Sequence, residues 1–338
     1  VGKLDGFRFA PDPRAEGIHG RTLRAAALRG LEGEFVSRER RLSEADDKAF
    51  SLSEHGRIWW DGAIVARLVA GTAPLSPQVS LVADEHLRAD LRESVQQRLN
   101  EWTRMRIAAR LEPLHKLRAA ADAKPDTPGA LPAFARGIAH QLCESFGSLD
   151  RATIALPDKL GALIRALGTY GVWIGKRTIY LPKLLRPEAA SLLGLLWGVR
   201  EKMEHIPAAP QPGLTSFEID GNGAAHDFLA ACGFRVVDER AIRFDMLERL
   251  EDELEKGAAS GATADVLMPK LVSLLGCGND ELRDILAALG WRVLEVADAG
   301  TGVRNVWRRA PVRLRKTAER RAPSPTALAE LAARFSRR

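Results

Sequence analysis

Cysteine is scarce in this 338-residue chain: Cys143, Cys232 and Cys277 are its only three, and no two share a CxxC or CxxxH spacing. An odd, scattered set provides neither a disulfide framework nor a structural zinc site, and points to a reducing, cytoplasmic compartment. Long apolar runs are missing too. The longest uncharged one, residues 189–199, is far shorter than a bilayer requires, so no membrane partner is expected. The seven histidines are dispersed, with no HExxH and no pair beside a third ligand. No nucleophile stands at a spacing that supplies it with a base, and the segment is expected to carry no active site, metal or cofactor of its own. An initiator methionine and a signal-type stretch are also lacking, and the chain reads as a piece of something longer.

What is present is the composition of an ordinary globular chain, 46% hydrophobic and 28% charged. The net charge of +6 is unevenly placed. Residues 304–338 hold eleven Lys/Arg against Glu319 and Glu330, a balance of +9 that leaves −3 for everything before them. Positive potential is therefore concentrated in the last tenth of the chain, where it attracts polyanions.

Periodicity divides the chain into an α+β, mainly helical architecture with a small antiparallel meander and winged-helix-like modules. Residues 2–9 read as a turn-and-strand unit, and 19–42 as helical. In the meander, Ile58 and Trp60 lead into Asp61 and Gly62, a strong short hairpin signal. Trp59 and Trp60 point to opposite faces of that strand, so one is expected inside and one outside. Leu87, Leu91, Val95, Leu99 and Trp102 mark a long helix that Pro113 interrupts. Proline-rich breaks at 124–132 and 207–213 suggest four units: an α+β module over 1–123, a helical module with a hairpin over 133–206, a winged-helix-like domain over 214–309, and a basic flexible tail over 310–338. A helix ending in glycine and followed by a strand recurs three times, at Gly168, Gly233 and Gly290, each glycine suited to a left-handed cap. The third is the most complete. A helix over 266–275, a turn, a helix capped by Asn279 and a hairpin over 291–309 follow a helix over 245–256. Those are the parts of a winged helix.

Two short motifs look catalytic and do not withstand inspection. Gly171 to Arg177 is one residue short of GxxxxGK[ST], and Arg177 replaces the hydroxyl that would ligate magnesium. Lys176 sits instead at a hairpin tip. Asp84, Glu85 and His86 lack the spacer of a DExH box, and Asp84 reads as a helix N-cap. The remaining chemistry is basic. Lys176 and Arg177 at the hairpin tip, Arg304, Trp307, Arg308 and Arg309 on the last wing strand, and Arg313, Arg315, Lys316, Arg320 and Arg321 beyond it form the candidate nucleic-acid-binding set. For Trp307 itself, a core position under the wing is the ordinary expectation.

An ordered set of stretches carries a resemblance: GKLDGFRFAPDP, GRIWWDGAIVARL, GVWIGKRTIYLPKLLRPEA, IRFDMLERL and LLGCGNDELRDILAALGWRV. Together they resemble the C-terminal region of alphaproteobacterial superfamily-two DExH helicases related to the RNA helicase of the mitochondrial degradosome. The resemblance implies a parent protein with two upstream RecA-like motor domains that use ATP and magnesium. No motor motif matches here, so no ATPase residue carries over. The expected function is an accessory region that binds nucleic acid, RNA or DNA and single-stranded, and shapes its channel. The alternative is a protein-interaction scaffold. Asp280, Glu281 and Asp284 crowd the start of the helix that would read a major groove, and acid there repels phosphate.

Overall fold

The computed structural model describes residues 2–11, 32–85, 87–155, 160–219, 226–298 and 302–309. The fold is α+β and mainly helical, with small antiparallel sheets. A hairpin of β1 (Gly2–Asp5) and β2 (Arg8–Pro11) precedes helix α1 (Glu32–Ser43). The meander follows, ordered β3 (Phe50–Leu52), β4 (Arg57–Trp60), β5 (Ala63–Ala73) and β6 (Ser76–Leu81). Next come α2 (Ala89–Arg110), α3 (Glu112–Asp122), α4 (Ala133–Glu144) and α5 (Leu160–Gly168). A three-stranded sheet pairs β7 (Ser148–Asp150) with β9 (Thr178–Tyr180), and β9 with β8 (Trp173–Ile174).

Helix α6 (Pro187–Arg200) explains the apolar run seen in the sequence. Ala189, Leu192, Leu193, Leu195, Leu196 and Val199 are all buried, because the helix is covered on every side from Leu192 to Val199, as an all-round apolar stretch must be. It packs against β5, β6, α2 and the short helix α7 (His226–Ala231). No helix among the described residues is long and apolar enough to cross a membrane.

A second three-stranded sheet, in the order β10 (Ser216–Glu218), β12 (Arg240–Arg243), β11 (Phe234–Val237), leads into the winged helix. Its helices are α8 (Phe244–Ser260), α9 (Ala264–Leu275) and α10 (Asn279–Ala288), and its wing pairs β13 (Trp291–Asp298) with β14 (Gly302–Arg309). A bridge between Thr263 and Val306 ties the wing to the start of α9.

Apolar burial forms two clusters. The first runs from Phe7 to Ala241 and the second from Val237 to Trp307. The proline-rich break at 124–132 therefore joins helices that share one core: α3 and α4 pack directly, through Leu114, Leu117, Ile138 and Leu142. The break at 207–213 likewise leads back into the first cluster at Phe228 and Phe234.

Several local expectations need correction. Asp84 is not a helix cap. Helix α2 starts only at Ala89, and the backbone N–H of Asp84 bonds the carbonyl of buried Phe7 at 2.8 Å, while its own carbonyl accepts from Arg92. His86 and the tail from 310 lie outside the described residues, and of the helix expected over 19–42 only 32–43 is described. Gly168 remains inside α5. The left-handed residue is Gly171, where the N–H of Val172 closes onto the carbonyl of Leu167. The first residue of α10 is Asn279, with Gly278 in the capping position. Pro113 sits in the first turn of α3, as its interruption of the long helix requires.

The meander turn is built as its dipeptide demands, with φ of 49° at Asp61 and 73° at Gly62. Trp60 is buried beneath it, whereas Trp59 is exposed. A side chain at Gly62 meets open space, so only backbone strain opposes substitution. Gly62→Val should cost about 1–2 kcal/mol through the left-handed conformation. Thermal melting reads this directly, and an unchanged midpoint would contradict the strain.

Candidate nucleic-acid interface

The wing is a regular antiparallel ladder from Trp291↔Arg309 to Asp298↔Gly302. Trp291 and Trp307 lie at its base and are buried against the helices; Trp307 is only 3% exposed, the core position expected for it. Its Nε1–H has no hydrogen-bond partner among the described residues. Further out, Arg292 stands directly opposite Arg308, and both are exposed. Neither makes a hydrogen bond or ion pair among the described residues. Like charges directly opposed on a ladder repel, so this pair is a standing cost that an external anion would relieve. Leu294 (47% exposed) and Val296 share the face of Arg292 by the two-residue period, which sets apolar surface beside the charge. The backbone of Arg304 pairs with Val296 in the same ladder. Arg292 was absent from the expected set. Its signal was its register opposite Arg308, which only strand pairing supplies.

The hairpin tip between β8 and β9 is placed differently. Three successive backbone N–H groups, of Lys176, Arg177 and Thr178, donate to the carboxylate of Glu248 at 2.6, 2.9 and 3.2 Å. Consecutive amides of this kind form an anion cradle, and here the chain's own glutamate fills it. Gly175 is required for the approach, since a Cβ there would lie 2.4 Å from Glu248 Cδ. The phosphate-loop likeness of 171–177 thus corresponds to a real cradle, occupied by α8.

The side chains of the tip follow the same route. Lys176 Nζ contacts Asp252 at 2.5 Å and Glu255 at 2.8 Å. Burial pulls its pKa down, but hydrogen bonds to the two carboxylates outweigh that and hold it above its ordinary value. Arg177 donates from Nε to Glu251 at 2.6 Å and from a terminal nitrogen to the carbonyl of Leu289. Glu251 is fully buried and also accepts from Trp291 Nε1 at 3.1 Å and from Arg309 at 3.5 Å. Three of the sequence candidates, Lys176, Arg177 and Arg309, are therefore brought together, and all face α8. Glu248, Glu251, Asp252 and Glu255 recur at helical spacing and form one acidic stripe, a signal visible in the sequence only as spacing.

Helix α10 offers no phosphate contact at its start. Asp280 and Asp284 are exposed, and Glu281 is held by Arg240 through a two-pronged ion pair. That hydrogen bond outweighs burial and lowers the Glu281 pKa from its ordinary 4.5. No group of three or more His, Cys, Asp or Glu able to hold a metal occurs among the described residues. Burial pushes the Cys143 and Cys232 thiols up to about 11 and about 12. Arg313, Arg315, Lys316, Arg320 and Arg321 lie outside the described residues.

Removing the buried Glu251 carboxylate would strand Arg177 and the Trp291 N–H. Glu251→Ala should accordingly destabilise the protein by about 3–5 kcal/mol in denaturant titration, and a loss below 1 kcal/mol would mean that the seam contributes little. Because the Glu281 pKa is depressed on folding, its contribution is complete above pH 4.5 and fades as pH falls through the lower folded value. The melting-temperature gap between wild type and Glu281→Gln should be full at neutral pH and close in acid.

In comparisons with protein families, curated proteins and solved structures, nothing matches this chain.

Proposed function

We propose that this chain is an accessory nucleic-acid-binding region of an ATP-dependent RNA helicase, whose winged helix contacts a single strand through its wing. The observation that carries the reading is the opposed pair Arg292 and Arg308, without a partner among the described residues, beside exposed Leu294 and Val296. Guanidinium groups at that position take phosphates, while the neighbouring apolar surface suits unpaired bases more than a duplex groove. The resemblance of the ordered stretches to degradosome-type helicases supplies the parent class. The motor's ATP and magnesium chemistry belongs to that parent and is assigned to no residue here. Arg304 and the run Arg313, Arg315, Lys316, Arg320 and Arg321 add further positive charge in the same part of the sequence.

A second reading, docking of a protein partner on α10, is favoured by one feature. Its outward side is acidic at Asp280 and Asp284, and so suits a basic partner surface. Binding of labelled single-stranded RNA across a salt series separates the two. The Arg292→Ala/Arg308→Ala double variant should reduce the slope of log affinity against log salt by about 0.7 per lost contact. Equal slopes for both proteins, or no RNA binding by the wild type, would overturn the nucleic-acid reading.

A further inference from the structure

Between the β8–β9 hairpin and the base of the wing lies a cavity of about 420 Å³ whose lining is strongly cationic. Arg151, Lys176, Arg177, Arg235 and Arg309 all border it, against the single acid Asp150. Carboxylates of α8 match three of these cations, Lys176, Arg177 and Arg309.

The donors are unequally used. Lys176 and Arg177 are committed to the α8 stripe, as described above. Asp150 is engaged at both oxygens: one accepts from Arg235 at 2.9 Å and the other from the backbone N–H of Ala152 at 2.9 Å. Arg235 also donates to the carbonyl of Arg177 at 3.0 Å. Arg151, by contrast, has no carboxylate partner among the described residues; it donates from its side chain once there, to the carbonyl of Gly175 at 2.7 Å, out of the five N–H groups a guanidinium carries. Arg309 reaches Glu251 and Glu255 only at 3.5 and 3.7 Å, and both carboxylates are already held more closely by Arg177 and Lys176. The cavity is thus walled by two guanidinium groups with spare donors and by a third that is half used. They come from the turn after β7, from β11 and from β14.

We propose that this cavity is a phosphomonoester site, filled by the terminal phosphate of a nucleic-acid strand or by the phosphate of a free nucleotide. A terminal phosphate offers three unsubstituted oxygens and close to two negative charges, which matches donors converging from three elements; an internal phosphodiester offers two oxygens and one charge. The volume admits the phosphate together with part of the group that carries it. Ligation ties the β7–β9 sheet to the wing strand, because Arg151 and Arg309 grip the same anion. The site is distinct from the exposed Arg292 and Arg308 face and does not depend on the helicase reading.

The test uses the full chain and single-stranded RNA oligonucleotides identical except for 5′-phosphate, 3′-phosphate or hydroxyl ends. Thermal melts in inorganic phosphate or AMP, matched in ionic strength with chloride, form the second arm. A phosphate-ended strand should bind roughly tenfold more tightly than its hydroxyl-ended twin, the scale of one charge-assisted contact. That advantage should vanish in Arg151→Gln and return in part in Arg151→Lys, which excludes simple misfolding. It should persist in Arg292→Ala/Arg308→Ala. Stabilisation by AMP or inorganic phosphate, sensitive to Arg151→Gln and without an end effect on RNA, assigns the site to a free phosphate and sustains it even if RNA does not bind. Equal affinity for all strand ends with no melting shift in either small anion overturns the proposal, as does an end preference that survives in folded Arg151→Gln.

Discussion

Carboxylates on one face of α8 join the winged helix to the β8–β9 hairpin. Glu248 is the centre of this junction, because its charge is stabilised by hydrogen bonds from backbone amides of a hairpin more than seventy residues away in sequence. Charge-assisted bonds to three amides fix the direction of α8 more tightly than apolar contact alone, which is non-directional. Glu251 extends the constraint inward, where one buried carboxylate serves an arginine from the hairpin, an indole from β13 and an arginine from β14. The wing's position is therefore coupled to the hairpin tip. A buried charge of this kind is tolerated only because each acceptor position has a donor.

That seam also sorts the basic residues by task. Arginines that neutralise α8 are structural counter-ions, whereas Arg292 and Arg308 on the outer wing have no counter-ion among the described residues. Sequence charge alone cannot draw this line, since Arg308 and Arg309 are neighbours with opposite fates. Strand alternation draws it: one side chain of the pair faces α8 and the other faces solvent.

Features set by local chemistry were legible in the sequence. The Asp61 and Gly62 turn is written in two residues, and the order of helix, turn, helix and hairpin in the winged helix follows from apolar spacing and glycine-terminated helices. The break at Pro113 is equally local. Expectations failed where tertiary partners decided the outcome. Asp84 looked like a cap until the carbonyl of Phe7 claimed its backbone. Across the proline-rich stretch at 124–132, α3 and α4 bury their apolar faces on each other, a pairing that no local signal announces. The candidate site shows the same division. Lys176 and Arg177 were correctly placed at a hairpin tip, but nothing local announces that Glu248 will occupy the cradle there. The acidic spacing on α8 was visible and carried no meaning without its partner.

Helix α6 has a consequence for how the chain reaches this structure. It lies past the middle of the sequence, yet it fills the space between the meander, α2 and α7, all of which need it to complete their burial. During synthesis, everything made before Pro187 must wait with an apolar groove open to solvent, a state prone to self-association. The first cluster is complete only with this later segment in place, and a fragment cut just before α6 would lack the helix that covers these faces.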